Sequence, residues 1–318
     1  MSNKSKTVIL FTSRNNYELF EGIFFKNSTV DFSDYILLNI DLNSSEEQLS
    51  LAKKTLKKYN ITNIDVDQND PNIYAGQRGI EICINYLESN NIEADWILWA
   101  THDNPPVGSD FLVNYEKKLL EYPEFKQRVG VIGFQDYGLL AENQSLIGRG
   151  VLIDGLYENG RAGWYTLMPS EYYKSDYFIV ESPVDNAVAI NVGLWKKHIE
   201  VDYGFRLYLW VEDVSAQFNL LNIASVTIPS LELVDLCADK QQFGIPKCSL
   251  DSTSDYCMDT GRQTNWMNYW KKKYGFERSN RDKFSLVSHL YKKTLQEKIY
   301  GWHVDDGPKT LRNLGGAK

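Results

Sequence analysis

The apolar positions in the first third of the chain fall into two alternating kinds of run. Residues 7–12 (TVILFT) and 35–40 (YILLNI) are short, continuous apolar stretches closed by polar residues. Such runs predict strands buried on both faces of a parallel sheet. The stretches between them carry apolar residues at helical spacing. Residues 17–25 read as a helix. Leu49, Ala52, Leu56 and Tyr59 share one face of a second helix, which Ser44 and Ser45 followed by Glu46 announce as a start signal. Residues 60–66 carry the chain into a shorter third strand. Ile80, Cys83, Ile84 and Leu87 define the buried face of a helix over 76–88. The next strand, 95–100 (DWILWA), ends before Pro105 and Pro106, which cannot continue a central ladder. A helix over 111–121 and a strand over 129–134 (VGVIGF) follow.

This alternation predicts an α/β fold: a mostly parallel central sheet with helices on both faces. Ligands of such sheets bind at the carboxyl ends of the strands, so residues 13–16, 41–45 and 101–104 are the ones to inspect. Between 135 and 182 the periodicity fails and Gly, Tyr and Asn dominate. A hairpin is expected near 158–160. Apolar residues return over 187–195, Trp210-Val211-Glu212-Asp213 precedes a helical run to Leu221, and 224–228 is a last core strand. From about residue 263 the pattern is helical and basic (NWMNYWKKKYG, KFSLVSHLYKKTLQEKIYGW), ending in a tail that reads as frayed. The division expected is a main domain over 1–262 and a helical C-terminal extension over 263–318.

Composition narrows the function. With 318 residues, 43% hydrophobic and 13% aromatic, the chain suits a large packed core rather than disorder. The net charge of −8 argues against a broad nucleic-acid-binding face, although Lys271–Lys273, Arg278 and Arg281 form a local basic stretch. No segment approaches the roughly 20 apolar residues of a membrane span. The short apolar run near the N-terminus lacks the features of a secretory signal, and the expected location is cytoplasmic. The four cysteines form no CxxC pair. Cys83 reads as a core thiol. Cys248 and Cys257 could pair, although free thiols suit a reducing compartment better.

Four constellations could carry chemistry. Thr101-His102-Asp103 offers a carboxylate to a hard cation, or a turn before proline. Glu212-Asp213 offers a general base, or two acids placed favourably against a helix dipole. Asp41, Asn43, Ser44 and Ser45 suit recognition of ribose or base, or a plain helix cap. Ala75-Gly76-Gln77-Arg78-Gly79-Ile80 lets the backbone approach a ligand, with Arg78 able to hold a phosphate. Its spacing is neither a Walker A loop nor GxGxxG.

Their order along residues 7–275 resembles the GT-A glycosyltransferases of the family-2 type. LFTSRNN resembles the turn that touches the nucleotide there, with Ser13 and Asn15 kept and Thr12 in place of proline. IDLNSS resembles the Asp-Gly-Ser-like turn after the second strand, through Asp41. YAGQRGI resembles the Ala-Gly-x-Asn-Arg-Gly-Ile-like helix start, with Gln77 where Asn is usual. Thr101-His102-Asp103 stands where the family carries its metal-binding Asp-x-Asp, keeping the second Asp. WVEDVSAQF is similar to the Trp-x-Glu-Asp motif, and Asp235 falls where a metal-ligating His often stands. NYWKKKYG resembles a Tyr-x-x-Lys-Trp-Gly-like stretch.

The resemblance implies sugar transfer from a nucleoside-diphosphate sugar, UDP-sugar first, to an acceptor hydroxyl by an inverting displacement. Asp213 would be the base, with Glu212 beside it. Ser13, Asn15, Asp41, Gln77, Arg78, His102 and Asp103 would contact the donor. Mn²⁺ or Mg²⁺ would sit near Asp103 and Asp235. Residues up to about 135 would form the donor half and 136–262 the acceptor half. The alternatives are a non-catalytic nucleotide-sugar or carbohydrate binder on this fold and a DNA-modifying glycosyltransferase of phage type. A nucleotidyltransferase ranks lower, because FTSRNNYELF lacks the expected glycines.

Overall fold

The structure is a computed structural model. It describes residues 6–102, 104–138, 147–148, 150–152, 166–167, 176–183, 187–205, 210–235, 268–270 and 272–274. β1 (Thr7–Ser13) is followed by α1 (Tyr17–Leu19), a π-helical segment (Phe20–Phe24) and α2 (Phe25–Asn27). Phe20 and Phe24 of this stretch pack edge-on against Phe11 of β1, with ring centroids 4.9 and 5.0 Å away. Next come β2 (Ile36–Asp41), α3 (Glu46–Lys58), β3 (Ile61–Ile64), α4 (Gly76–Ser89) and β4 (Trp96–Ala100). Ser45 caps α3, its side chain accepting from the Gln48 N–H. The chain continues through α5 (Phe111–Glu121), α6 (Phe125–Arg128) and β5 (Val129–Gly138). The short strands β6 (Ile147–Gly148), β7 (Gly150–Leu152) and β8 (Thr166–Leu167) precede β9 (Phe178–Pro183). β10 (Ala187–Asn191), α7 (Val192–His198), α8 (Trp210–Leu220) and β11 (Ala224–Asp235) complete the named elements.

The strands form one sheet in the order β3-β2-β1-β4-β10-β5-β11-β9-β7, with β6 pairing β5 and β8 pairing β6. From β3 to β11 the sheet is mostly parallel. β1 pairs parallel with β2 and β4, β2 with β3, and β5 with β11. β10 is the exception, antiparallel to both β4 and β5, so that β4 and β5 run the same way. Val8 to Phe11 of β1 are each at most 2% exposed. Successive strand residues face opposite ways, so both faces of the sheet are covered, as the unbroken apolar runs predict.

Three features go beyond the sequence expectation. The apolar stretch 187–195 is not one element: Asn191 ends β10 and caps α7, accepting from the Leu194 N–H at 3.0 Å. Its side-chain amide also donates to the carbonyls of Lys126 and Val129, tying the α6–β5 junction to the same corner. β11 runs well past 228, with an irregular register between Ile228 and Glu232 where Pro229 interrupts the ladder. Finally, the turn after β4 is fastened to β11 by a bridge from Pro106 to Leu233 and a 2.8 Å bond from the Val107 N–H to the Glu232 carbonyl. The hairpin expected near 158–160, Cys237, Cys248, Cys257 and the tail after 274 lie outside the described residues.

Candidate active site

The carboxyl ends of β1, β2 and β4 meet over a buried chain of hydrogen bonds. The Asn16 amide lies 3.1 Å from His102 Nδ1 and donates to it, which leaves the proton of His102 on Nε2, 2.8 Å from Ser13 Oγ. The Ser13 hydroxyl then donates to Asn39 Oδ1 at 2.5 Å. The Asn39 amide donates to the Tyr17 hydroxyl (3.1 Å) and to Asn63 (2.7 Å), and Tyr17 donates to Asp41 Oδ2 at 2.6 Å. Asp41 Oδ1 accepts from the Ser44 N–H at 2.9 Å. Burial pushes the His102 imidazole down to about 3, so it is neutral at physiological pH. Burial, with the Asp41 charge behind it, pushes the Tyr17 phenol up.

Three residues assigned to the donor from sequence therefore face inward: Ser13, Asp41 and His102 are all buried. In this arrangement both ring nitrogens of His102 bind the protein. Asn15 has φ 49°, a left-handed conformation that asparagine tolerates. Its N–H donates to Ser44 Oγ (2.9 Å) and its side-chain oxygen accepts from the Ser45 N–H (2.7 Å). That stitches the end of β1 to the start of α3.

The second centre is Asp213, in the first turn of α8 and fully buried. Its Oδ2 accepts from the amides of Gln77 (2.7 Å) and Gln217 (2.8 Å). Its Oδ1 accepts from the Tyr274 hydroxyl (2.6 Å) and pairs with the Lys273 ammonium (2.7 Å). A buried carboxylate is tolerated only with such partners. Gln77, at the start of α4, also accepts from the Asp202 N–H at 2.8 Å. Lys273 continues to Asp202 Oδ2 at 2.7 Å, so one ammonium bridges two carboxylates. Asp202 further accepts from the Gly204 N–H (2.8 Å) and the Tyr269 hydroxyl (2.9 Å). Burial acts to raise the Asp202 carboxyl. The bonds from Lys273, Gly204 and Tyr269 outweigh it and hold the group below the usual aspartate range. Burial and the Asp202 charge push Tyr269 up to about 12.

The WxED pattern and the glycine of YAGQRGI meet here directly. A Cβ on Gly76 would lie 2.4 Å from the Trp210 ring, so the missing side chain is what lets α4 and α8 approach. Trp210 packs edge-on against Trp99 of β4 at 5.1 Å. Glu212 is buried beside Asp213. Arg78 turns away to a carboxylate pair, Asp70 (2.8 Å) and Glu81 (2.5 Å), beside a cleft of about 340 Å³ lined by Asp65, Asp67 and Asp70.

Asp103 lies outside the described residues. Asp235 is the last residue of β11, paired with Gly138. The Pro106–Leu233 bridge brings the turn after β4 and the end of β11 to one place. Among the described residues no group of three His, Cys, Asp or Glu side chains could hold a metal ion.

Asn39, Tyr17, Asp202 and Gln217 have no site role in the sequence reading, and Lys273 figures there only within a basic stretch and the NYWKKKYG resemblance. Asn39 and Tyr17 carried a signal in principle: polar atoms at positions whose neighbours are fully buried need partners.

No protein-family model matches the chain, and no curated protein matches it either. Solved structures do. The mannosyltransferase PcManGT from Pyrobaculum calidifontis, in complex with GDP-Man and Mn²⁺, matches with a TM-score of 0.54 at 10% identity, over 94% of this chain and 70% of its own. GalNAc-T7 with UDP, GalNAc and Mn²⁺ matches with a TM-score of 0.54 at 10% identity, over 94% of this chain and 55% of its own, so the present chain spans little more than half of it. At such identity the likeness speaks for architecture: strand order, the reversed β10 and the coverage together make this a GT-A-like α/β fold, the fold of nucleotide-sugar transferases.

Proposed function

We propose that this protein transfers a sugar from a nucleoside-diphosphate sugar, UDP-sugar first, to an acceptor hydroxyl with inversion, using Asp213 as the base. The observation that carries the reading is the Asp213 carboxylate itself. It stands at the start of α8, on a GT-A-like fold, with Lys273 against it as counter-ion and α4 packed alongside. An aspartate carboxylate at such a position offers an oxygen that can take the proton of an acceptor hydroxyl. The residues up to about 135 would serve the donor and 136–262 the acceptor. Ser13, Asn15 and Asp41 would shape the nucleotide end from beneath rather than by open contact, with Gln77, Glu212 and His102 in supporting places.

The two neighbours hold Mn²⁺, and oxygen ligands suit such a hard cation. By the resemblance, Asp103 and Asp235 would be the carboxylates that hold Mn²⁺ or Mg²⁺. When bound, the cation would offset the charge of the departing diphosphate. Arg78 would reach a phosphate only by leaving Asp70 or Glu81.

A second reading, a nucleotide-sugar binder without turnover, is favoured by Thr101 standing where the resemblance calls for an acid and by the full set of donors already on Asp213. One experiment separates them. The full chain is incubated with UDP-, GDP- and dTDP-sugars and Mn²⁺, and nucleoside diphosphate release is followed with and without acceptor alcohols. Asp213→Asn is expected to lower release by about 100-fold or more while donor affinity stays within about threefold. Binding without release by the unaltered protein would favour the second reading, and full release by Asp213→Asn would remove Asp213 from the mechanism.

A further inference from the structure

Ligands of such a sheet meet the turns at the carboxyl ends of its parallel strands, and a diphosphate is an anion that cationic groups hold best. Residues 13–16, 41–45 and 101–104 make up the turns after β1, β2 and β4, and Arg14 is the one Lys or Arg among them. Basic side chains elsewhere are set differently. Arg78 lies beside a cleft lined by Asp65, Asp67 and Asp70, whose charge repels a phosphate. Lys273 serves Asp202 and Asp213 together. Lys6, Lys126 and Lys196 line a cavity at the far end of the sheet, before β1, β4 and β5, and each meets a carboxylate there.

The turn that carries Arg14 is held on two sides by its other side chains. Ser13 reaches Asn39 and His102, and Asn15 accepts from the Ser45 N–H. Asn16 accepts from the Arg14 N–H at 3.0 Å and donates to His102. The half-buried Arg14 side chain leaves this frame and lies across Tyr74, its guanidinium carbon 4.9 Å from the ring centre. Tyr74 stands just before α4, where the Ala75 N–H closes a turn on the Asn72 carbonyl at 2.8 Å. A ring beneath a guanidinium covers one of its faces and leaves the N–H donors at its edge. An arginine has five such donors, so it takes a phosphate alongside a protein partner rather than instead of one.

We infer that Arg14 is the side chain that binds the diphosphate of the donor, from the end of β1, with Tyr74 as the platform that sets its plane. This rests on the nucleotide-sugar site of the reading above, with or without turnover. It gives the phosphate contact to a cation at the strand ends rather than to Arg78.

The test uses the full chain and measures affinity. UDP, GDP and dTDP, with the matching nucleosides as probes that lack the diphosphate, are titrated with and without Mn²⁺. The proteins are the unaltered chain, Arg14→Gln and Tyr74→Leu, with thermal melting as a check that each folds. Arg14→Gln is expected to weaken the nucleoside diphosphate by about tenfold or more and the nucleoside by no more than about twofold, because a charge-assisted fork is lost while the base contacts stay. Tyr74→Leu keeps the charge and removes its platform, so the same selective loss is expected at about threefold. That variant decides the matter if Arg14→Gln does not fold. Equal weakening of nucleoside and nucleoside diphosphate, in an Arg14→Gln protein that melts like the unaltered one, would show that Arg14 only shapes the turn and would overturn the inference. Unchanged diphosphate affinity in Arg14→Gln, or in Tyr74→Leu where that variant decides, would overturn it too. Failure of the underlying reading looks different: the unaltered protein would then bind none of the nucleoside diphosphates, and the inference would fall with it.

Discussion

Single residues in this protein are placed by the partners they need rather than by the solvent they face. Gln77 shows this most clearly, because each end of one carboxamide satisfies a different buried group: its amide serves Asp213 and its oxygen serves the Asp202 N–H. Gln77→Leu keeps the volume and removes both bonds. It is expected to cost about 2–4 kcal/mol, read as a lowered urea midpoint at unchanged m-value, because two buried polar groups lose partners at once. Cys83 marks the opposite case. It lies in the apolar face of α4, fully buried, and burial pushes its thiol well up. A thiol that is neither ionised nor reachable does not react. Peptide mapping after mild alkylation of the native protein should therefore find Cys83 unmodified, and modified only after denaturation.

At the scale of elements, the site depends on the close approach of two helices, and a separate corner fastens the far end of β10. Where α4 starts against α8, Gly76→Ala would drive a methyl group into the Trp210 ring, at 2.4 Å. The ring is fully buried and wedged against Trp99, so it has little room to yield. The expected loss is about 1–3 kcal/mol from overpacking, again read from denaturant unfolding; on the proposed glycosyl-transfer reading, donor turnover would weaken too, because Asp213 and Gln77 ride on the displaced helices. At the other corner Asn191 ends β10, caps α7 and ties down the α6–β5 junction. Asn191→Ala removes a cap and leaves two carbonyls short of a donor, at an expected cost of about 2–3 kcal/mol. A melting temperature equal to the unaltered protein's would refute that account.

For the whole molecule, the question is what the segment around 268–274 does. The sequence division at 262/263 reads the C-terminal part as an extension of the main domain. Within it, Trp270 is fully buried, Tyr269 and Lys273 hold Asp202, and Lys273 and Tyr274 hold Asp213. The Tyr269 ring lies so close to Gly204 that a Cβ there would sit 2.3 Å from it. A chain ending at residue 262 would lose the cation between two carboxylates and a large aromatic anchor. It is expected to melt well below the full chain, by about 10 °C or more if those losses amount to several kcal/mol. Equal melting temperatures would show that the segment is dispensable for folding.

The parallel half of the sheet was legible in the sequence because burial on both faces leaves unbroken apolar runs, and α3 and α4 were legible because their buried faces recur at helical spacing. The fold and Asp213 at the start of a helix followed from those runs and from the order of short motifs. The reversed strand β10 was not legible: its direction is set by which neighbours it pairs with, and an apolar run reads the same in either direction. Nor were the partners of the site residues. Asp213 and Lys273 stand 60 positions apart and Ser13 and His102 are 89 apart, and nothing local in the chain links such pairs. The sequence by itself determined which segments are buried and hence the class of fold, because hydrophobic periodicity is a local property. Tertiary structure alone decided that Ser13, Asp41 and His102 face inward to one another and that Asp213 is enclosed by Gln77, Gln217, Lys273 and Tyr274, because a hydrogen-bond partner is chosen by position in space.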